Sequence, residues 1–374
     1  MVDVKKLMVP WLDGINPFFS EDLENAWRDR RYLRMMSNEG PTLPQRSVFR
    51  ALKKGSRIAN RYPDSLFRLR TKIGEINDGV GAEWVLLGNG STEILDMLFR
   101  AYIRPGEEVI QSIPCYGDYS HRATVSGAAV VSVPCGENWE YDIDEIERRI
   151  SSQTRVVVLA NPNNPTGNLT RDDVYRRLVQ HNIIVVCDEA YIEYSGLEHS
   201  KLHIMRDHRN LVIVRTLSKA YGLAGMRFGY ALGHPETLEI ARRTAMCWHI
   251  NIMSAHGAYA ALSDRKGLEK KIRLITNERD YMEREIAAIS DLCVYHSHAN
   301  YVLIDASKTG LDSGRITGDM KAHYGILLRR MKPFKGQTGL FRITVGKPGD
   351  NKQCVRALKD YFGKQRAGEN PQRV

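Results

Sequence analysis

Short apolar runs alternate with amphipathic helical stretches from Pro44 to about Leu232. The runs are rich in β-branched residues and have the length of strands; they cover residues 109–113, 129–133, 155–159, 183–187 and 211–214. Strands that alternate with helices form a mostly parallel sheet whose faces are covered by the helices. The pattern therefore predicts an α/β fold in three layers, with helices on both sides of one sheet.

Two of these runs are apolar throughout residues 156–159 and 183–186. Continuous apolar runs are typical of central strands that are buried on both faces. Polar segments follow both runs, at residues 161–167 and 188–191. Because ligands of open α/β sheets bind at the carboxyl ends of the strands, we expect the two segments to face one crevice.

The pattern changes on either side of this region. Residues 1–43 are predicted to be an N-terminal arm that builds little core and holds one helix, 21–32, capped by Ser20. After Leu232 a smaller α+β domain is predicted, with helices 236–245, 267–289 and 352–362 and strands 301–304, 326–329 and 339–345. We place the large domain at 44–250 and the small C-terminal domain at 251–374, with a frayed tail from 363.

Composition narrows the class of protein. With 374 residues, 43% of them hydrophobic and 26% charged, the chain has the balance of a globular protein of roughly two to three domains. The net charge is +10, but the basic clusters contain acidic residues, which favours a solvated surface over nucleic-acid binding. We find no signal peptide and no membrane span. The six cysteines form neither a disulfide framework nor a zinc pattern, so we expect a cytoplasmic protein. None of the eleven histidines is spaced from Cys, Asp or Glu as a metal ligand would be, so we expect no metal.

Three segments carry candidate chemistry. The Gly-rich turn at 88–93 precedes an apolar helix, which suits a phosphate, although a helix cap explains it equally well. Asp188 ends an apolar strand, where a carboxylate either faces a cation or caps the next helix. Lys219 lies among hydroxyl-bearing and small residues with Arg227 eight positions on, a pattern that favours a lysine used for covalent chemistry beside an anion site.

Short motifs then show a family resemblance. Their order and approximate spacing resemble the pyridoxal-phosphate aminotransferases of fold type I, and the histidinol-phosphate aminotransferase family most closely; the motifs are SNEGP, RYPDS, GNGSTEI, PCYGDY, NPNNPTG, CDEAYIEY, TLSKAYGLAGMRFGY, HANYVLI and FRITVG. They extend over nearly the whole chain. The resemblance implies a three-layer αβα large domain, a smaller α+β domain, and the cofactor pyridoxal 5'-phosphate.

The resemblance also assigns roles at the cofactor. Lys219 would hold the cofactor covalently and move the proton at the substrate Cα. Asp188 would keep the pyridine nitrogen protonated. Tyr191 and Asn164 would bind the phenolic oxygen, and Tyr116 would stack on the ring. The cofactor phosphate would be held by Ser91, Thr92, Thr216, Ser218 and Arg227, and by Tyr62 from the neighbouring subunit of a homodimer.

At the substrate the resemblance is less complete. Arg342 resembles the arginine that grips a carboxylate or phosphate, whereas Arg329 either supports it or is an ordinary surface residue. The family's Asn-Glu-Asn-Pro segment reads Asn-Glu-Gly-Pro from Asn38, a position near the substrate in the family. Trp248 and His249 also depart from the family pattern, and they either reshape the substrate pocket or simply pack.

The resemblance implies an aminotransferase that works by a ping-pong mechanism. It would move an amino group from an amino acid or a phosphorylated amine, with histidinol phosphate as the default, to a 2-oxo acid such as 2-oxoglutarate. Alternatives within the fold are an aminotransferase of a specialised biosynthetic pathway and a decarboxylase similar to threonine-phosphate decarboxylase. A catalytically silent binder or a DNA-binding regulator is disfavoured, because all the cofactor-contacting residue types are present.

Overall fold

The computed structural model of the chain describes residues 2–17 and 19–368. Its strands, β1 to β12 in chain order, are Leu33–Met35, Val85–Gly88, Glu108–Ile113, Ala129–Pro134, Thr154–Ala160, Ile184–Asp188, Leu211–Thr216, Gly229–Leu232, Cys293–Tyr295, Tyr301–Asp305, Ile326–Arg330 and Leu340–Thr344. Its α-helices, α1 to α14, are Glu21–Arg28, Arg46–Ser56, Phe67–Glu75, Gly90–Tyr102, Asp118–Val125, Ile143–Arg149, Asp172–Leu178, Ile192–Ser195, Leu202–Met205, Pro235–Arg242, Ile252–Ser263, Arg265–Ala287, Ser313–Tyr324 and Pro348–Ala367. Among the described residues, no helix combines the length and hydrophobicity that a membrane crossing requires.

The larger sheet has the strand order β2-β8-β7-β6-β5-β3-β4. Strand β8 runs antiparallel to both of its neighbours, and the other pairs are parallel. The five strands predicted from the apolar runs are β3 to β7, so the predicted α/β fold with a mostly parallel sheet is confirmed. The sequence did not reveal β8, because its four residues are too few to show a pattern.

The carboxyl ends of the central strands β5, β6 and β7 meet at one edge of this sheet. The backbone N–H of Asn161 donates to the carbonyl of Asp188 over 2.8 Å, and the N–H of Glu189 donates to Val214 over 2.8 Å. The side chains of Val156–Leu159 on β5 are buried on both faces of the sheet. The apolar interior of these strands therefore places their polar ends side by side.

The smaller sheet has the order β1-β11-β12-β10-β9. Its edge strand β1 comes from the N-terminal arm and pairs in parallel with β11. Among the described residues of the arm, the buried hydrophobic ones are Ala26, Met35 and Met36, which agrees with the expectation that the arm builds little core; Met35 on β1 belongs to the core of this sheet. Helix α1 begins after the Ser20 cap as predicted, but it ends at Arg28.

Three helices connect and cover the two cores. Helix α11 packs on α2 within the core of the larger sheet, whereas α12 contributes Ile275, Met282 and Ile286 to the core of the smaller one. The boundaries at 43/44 and 250/251 stay predictions. The frayed tail from 363 is wrong up to the end of α14, because buried Tyr361 and Phe362 hold this helix on the smaller sheet; residues 369–374 lie outside the described residues.

Candidate active site

A cavity of about 230 Å³ opens at the carboxyl edge of the larger sheet. Ten of the predicted site residues line it: Ser91, Thr92, Tyr116, Asn164, Asp188, Tyr191, Thr216, Ser218, Lys219 and Arg227. They come from the turns that follow several strands and from the first turn of α4. Residues far apart in the sequence therefore converge here because parallel strands end at the same edge.

Asp188, the last residue of β6, is buried at the base of the cavity. Its carboxylate accepts hydrogen bonds from the Tyr119 hydroxyl over 2.6 Å and from the Ala190 N–H over 3.0 Å. Burial raises the pKa of Asp188, while these two donors and the Lys219 ammonium oppose that rise. A buried carboxylate held this way is suited to face a cation in the cavity.

Lys219 projects into the cavity from the loop that follows β7. Its ammonium donates to the backbone carbonyl of Ser37 over 3.3 Å and lies 5.6 Å from the centre of the Tyr191 ring. The carbonyl belongs to the N-terminal arm, so arm and sheet meet at this amine. Its recorded contacts are thus a backbone carbonyl and an aromatic ring, not a carboxylate, which leaves its amine available for covalent chemistry.

A cluster of anion-binding donors occupies one end of the cavity. Ser91 and Thr92 lie in the first turn of α4, where backbone N–H groups have no partner within the helix. Thr216 Oγ1 lies 2.9 Å from Ser218 Oγ, and the Arg227 guanidinium lies 3.5 Å from the same Ser218 oxygen. Hydroxyls, amides and a cation together form a site for a phosphate dianion.

A network behind the cavity links Tyr191 to the smaller sheet. The Tyr191 hydroxyl accepts from the Asn38 side-chain amide over 3.0 Å and lies 3.5 Å from the Asn164 amide nitrogen. Asn164 Oδ1 in turn accepts from the Arg342 guanidinium, which also donates to the carbonyl of Met36 over 2.8 Å. Burial lowers the pKa of Arg342, and its Nε has no hydrogen-bond partner. This buried cation therefore still has one unused donor, in a residue outside the cavity lining.

Comparison with known proteins identifies the family. A family model described as aminotransferase class I and II matches residues 35–358. The chain belongs to this family. The histidinol-phosphate aminotransferase of an Anaeromyxobacter species is 32% identical over 369 residues, which cover 96% of this chain and 99% of that protein. That of Methanothermobacter thermautotrophicus is 32% identical over 336 residues, or 88% of this chain and 89% of that protein.

Solved structures support the fold. The histidinol-phosphate aminotransferase of Sinorhizobium meliloti in complex with pyridoxal-5'-phosphate has a TM-score of 0.85 at 24% identity, with coverage of 96% of this chain and 98% of that one. The predicted fold type I architecture and enzyme class are confirmed. The protein is a pyridoxal-phosphate-dependent aminotransferase, and its relatives favour transamination over decarboxylation.

The cavity of this aminotransferase fits the phosphate of the cofactor. A Cβ added to Gly90 would lie 2.6 Å from Arg227 Nη2, and one added to Gly229 would lie 2.6 Å from Ser91 N. The backbone contact at Gly229 and the positive φ of +78° at Gly90 favour glycine at both positions, which lets β8 pack against the N-terminus of α4 close to Arg227. This helix N-terminus and the Arg227 guanidinium are the groups that would hold the phosphate.

Four predicted site residues lie outside the cavity lining. Tyr62 is 74% exposed and stacks on Trp248, which is itself 58% exposed, with ring centres 4.3 Å apart. Arg329 is an exposed residue of β11, paired in register with Arg342 on β12. Arg342 and Asn38 are buried behind the cavity and reach it through Asn164 and Tyr191. The structure thus brings Arg342 to the site but leaves the Arg329 side chain at the surface.

His249 is held away from the cavity by backbone carbonyls. Its Nδ1 lies 3.0 Å from the Met246 oxygen and its Nε2 lies 3.1 Å from the Leu87 oxygen. The sequence left open whether Trp248 and His249 reshape the substrate pocket or simply pack. Within its own chain His249 packs against the backbone, whereas Trp248 is exposed. Among the described residues, no group of three or more His, Cys, Asp or Glu side chains is placed to hold a metal.

Sequence reasoning missed several residues of the site. Tyr119, on α5, is the donor that contacts the carboxylate of Asp188 most closely, yet only the first tyrosine of PCYGDY was singled out. The available signal was spacing: Tyr119 lies three residues after Tyr116, on the same side of a helical turn. Leu23 and Glu39 of the N-terminal arm also line the cavity, and Glu39 is paired with Arg34 over 2.8 Å.

Proposed function

We propose that this aminotransferase takes an amino group from a phosphorylated amino alcohol, with histidinol phosphate as the first candidate, and passes it to a 2-oxo acid such as 2-oxoglutarate. The observation that carries the proposal is the convergence of the Lys219 amine, the buried Asp188 carboxylate and the anion-binding donors in one cavity. The relatives that cover almost the whole chain carry the name of this activity.

When bound, pyridoxal phosphate draws electrons from the substrate Cα through its protonated ring. Lys219 is the residue proposed to bind the cofactor and then to move the proton at Cα. Asp188 would hold the proton on the ring nitrogen, since a carboxylate buried without a cation is unfavourable. Tyr191 and Asn164 would orient the phenolic oxygen, and Tyr116, at the cavity wall, would pack on the ring face.

Arg342 is proposed to bind the anionic group of the substrate. Arg342 lies directly behind the cavity and is 7% exposed, and its Nε has no hydrogen-bond partner, so an oxyanion that reached this donor would satisfy a group that is otherwise buried alone. The planar fork of arginine suits both carboxylate and phosphate. Asn38 positions the site from behind, because its amide contacts the Tyr191 hydroxyl.

The substrate test follows the absorbance of the bound cofactor while single donors are added to the purified enzyme. We expect histidinol phosphate to convert the cofactor at a lower concentration than histidinol, aromatic amino acids or other phosphorylated amines. The amino acids of the panel, which carry the carboxyl group that histidinol phosphate lacks, should react without release of carbon dioxide. The Lys219→Ala variant should lose this conversion, and the exposed Lys332→Ala variant should keep it. Preference for another donor, or release of carbon dioxide, would contradict the proposal.

We also propose a cytoplasmic homodimer in which Tyr62 reaches the cofactor phosphate of the partner. Support comes from the exposed Tyr62–Trp248 stack, which lies outside the cavity of its own chain. Mixing Tyr62→Ala and Lys219→Ala subunits should restore about a quarter of the wild-type activity, because half of the dimers would contain one intact site. A mixture of Asp188→Asn and Lys219→Ala should stay inactive. Equal behaviour of the two mixtures would contradict sharing of Tyr62.

A further inference from the structure

A second cavity, of about 520 Å³, lies on the far side of the strand ends that hold the candidate active site. One wall is the start of α12, with Leu268 and Ile272, and the opposite wall carries Glu193 of α8. The rings of Tyr221 and Tyr230 also line it. A cavity of this size accommodates a small organic molecule.

One carboxylate oxygen of Glu193, a residue that lines this cavity, has no partner in the described part of the chain. Its side chain is 7% exposed, and its Oε2 has no hydrogen-bond partner. Burial raises the pKa of Glu193 to about 7, although the nearby Arg215 guanidinium opposes the rise. Buried carboxylates are almost always paired, so a carboxyl group left alone beside open space indicates that something else completes it.

The neighbouring cation does not complete it, because Arg215 is already engaged. Its guanidinium forms a buried ion pair with Glu189 over 2.8 Å, and it donates to Asn77 Oδ1 over 2.6 Å and to Ser200 Oγ over 2.7 Å. At the cavity mouth, Arg265 is likewise paired with Glu269 over 2.9 Å. Both guanidinium groups are therefore paired with carboxylates, whereas the carboxylate of Glu193 has no cation paired with it among the described residues.

The remaining walls favour an organic cation over a metal ion. Two of the lining residues, Tyr221 and Tyr230, are aromatic, and aromatic rings attract ammonium groups; Leu268 and Ile272 are apolar. A metal ion would require several oxygen ligands around it. We propose that this cavity binds a small organic ammonium ion, with the charged nitrogen at Glu193 and the apolar body against α12.

This cavity is lined by residues that are close in sequence to those of the candidate active site, but the two cavities share no lining residue. Glu193 lies two positions after Tyr191, and Arg215 lies immediately before Thr216 of the anion site. Helix α12 also contributes to the core of the smaller sheet. An ammonium ion bound here would lie beside segments of the active site, and the inference does not depend on which amino donor the enzyme uses.

Calorimetric titration of the holoenzyme with N,N-dimethylphenethylamine tests the proposal. A tertiary amine cannot condense with the aldehyde of the cofactor, so binding at Lys219 does not interfere. We expect one saturable site per chain, and binding of the uncharged 2-phenylethanol that is at least about tenfold weaker, as the loss of one charge-assisted contact predicts. Absence of saturation up to about 10 mM amine would mean that the cavity holds only water, and would overturn the proposal.

Variants locate the site. Glu193→Gln keeps the shape of the side chain and should weaken amine binding at least about tenfold. Leu268→Trp fills the cavity from the opposite wall and should abolish binding while leaving the carboxyl group in place. The exposed Glu137→Gln and the active-site Lys219→Ala should both bind like the wild type. Unchanged binding in Glu193→Gln and Leu268→Trp, or loss of binding in Lys219→Ala, would place the amine elsewhere.

Discussion

The buried carboxyl group of Glu193 makes the stability of the protein depend on pH in a predictable direction. The group has a pKa of about 7 in the folded protein and an ordinary value of 4.5. At low pH both folded and unfolded chains carry the proton, so ionisation has no effect. As pH rises from about 4.5 to about 7 the unfolded chain loses this proton first, and the folded state becomes progressively less stable.

The size of the effect follows from the pKa difference. Each pKa unit corresponds to about 1.4 kcal/mol, so the full penalty above pH 7 is about 3 kcal/mol, compared with about 1 kcal/mol at pH 5. Replacing Glu193 with glutamine removes this dependence while keeping the volume. The free energy of unfolding of Glu193→Gln, relative to the wild type, should therefore rise by about 2 to 3 kcal/mol between pH 5 and pH 8.5.

Urea unfolding at the two pH values, followed by tryptophan fluorescence and by circular dichroism, measures this difference. The comparison between pH values cancels any constant effect of the buried amide. Glu137→Gln, at an exposed position, should show no change with pH relative to the wild type. A stability difference for Glu193→Gln that is the same at both pH values, or that falls as pH rises, would refute the reasoning.

Three further predictions concern the active site. Asp188→Asn should reduce the rate of transamination by about two to three orders of magnitude, because an amide cannot hold the proton of the ring nitrogen; the measurement is single-turnover kinetics with cofactor content verified. Tyr119→Phe removes the 2.6 Å hydrogen bond to Asp188 and should raise the pKa of that carboxyl group, which would move the acidic limb of the kcat/KM profile to higher pH. Arg342→Lys should raise KM for the donor by about tenfold with little change in the cofactor spectrum, since lysine lacks the bidentate fork.

Much of the fold could be predicted because strands that are buried on both faces consist almost entirely of apolar residues. The strands β5 and β6 are apolar at almost every position, and their polar ends predicted that residues 161–167 and 188–191 face one crevice, whereas the family resemblance singled out Asn164. Motif order supplied Lys219 and the anion-binding residues. The structure then placed all of these around one cavity.

What the sequence did not reveal depends on contacts between distant segments. Strand β1 has three residues, and only pairing with β11 makes it a strand. Tyr119 becomes a site residue because α5 directs it at Asp188, a long-range contact that its spacing from Tyr116 alone does not specify. Glu193 looked like one more residue of a family motif until the structure showed its carboxyl group buried beside open space.

The pairing of β1 with β11 also orders events during synthesis. Leu33 lies opposite Ile326, a separation of 293 residues (326 − 33). A ribosome must therefore extend the chain almost to its final helix before this edge can form, and such distant pairing is slow. The arm that supplies Ser37 to Lys219 and Asn38 to Tyr191 is translated early, yet it docks among the last parts of the molecule. A nascent chain therefore cannot become catalytically competent before both sheets have formed.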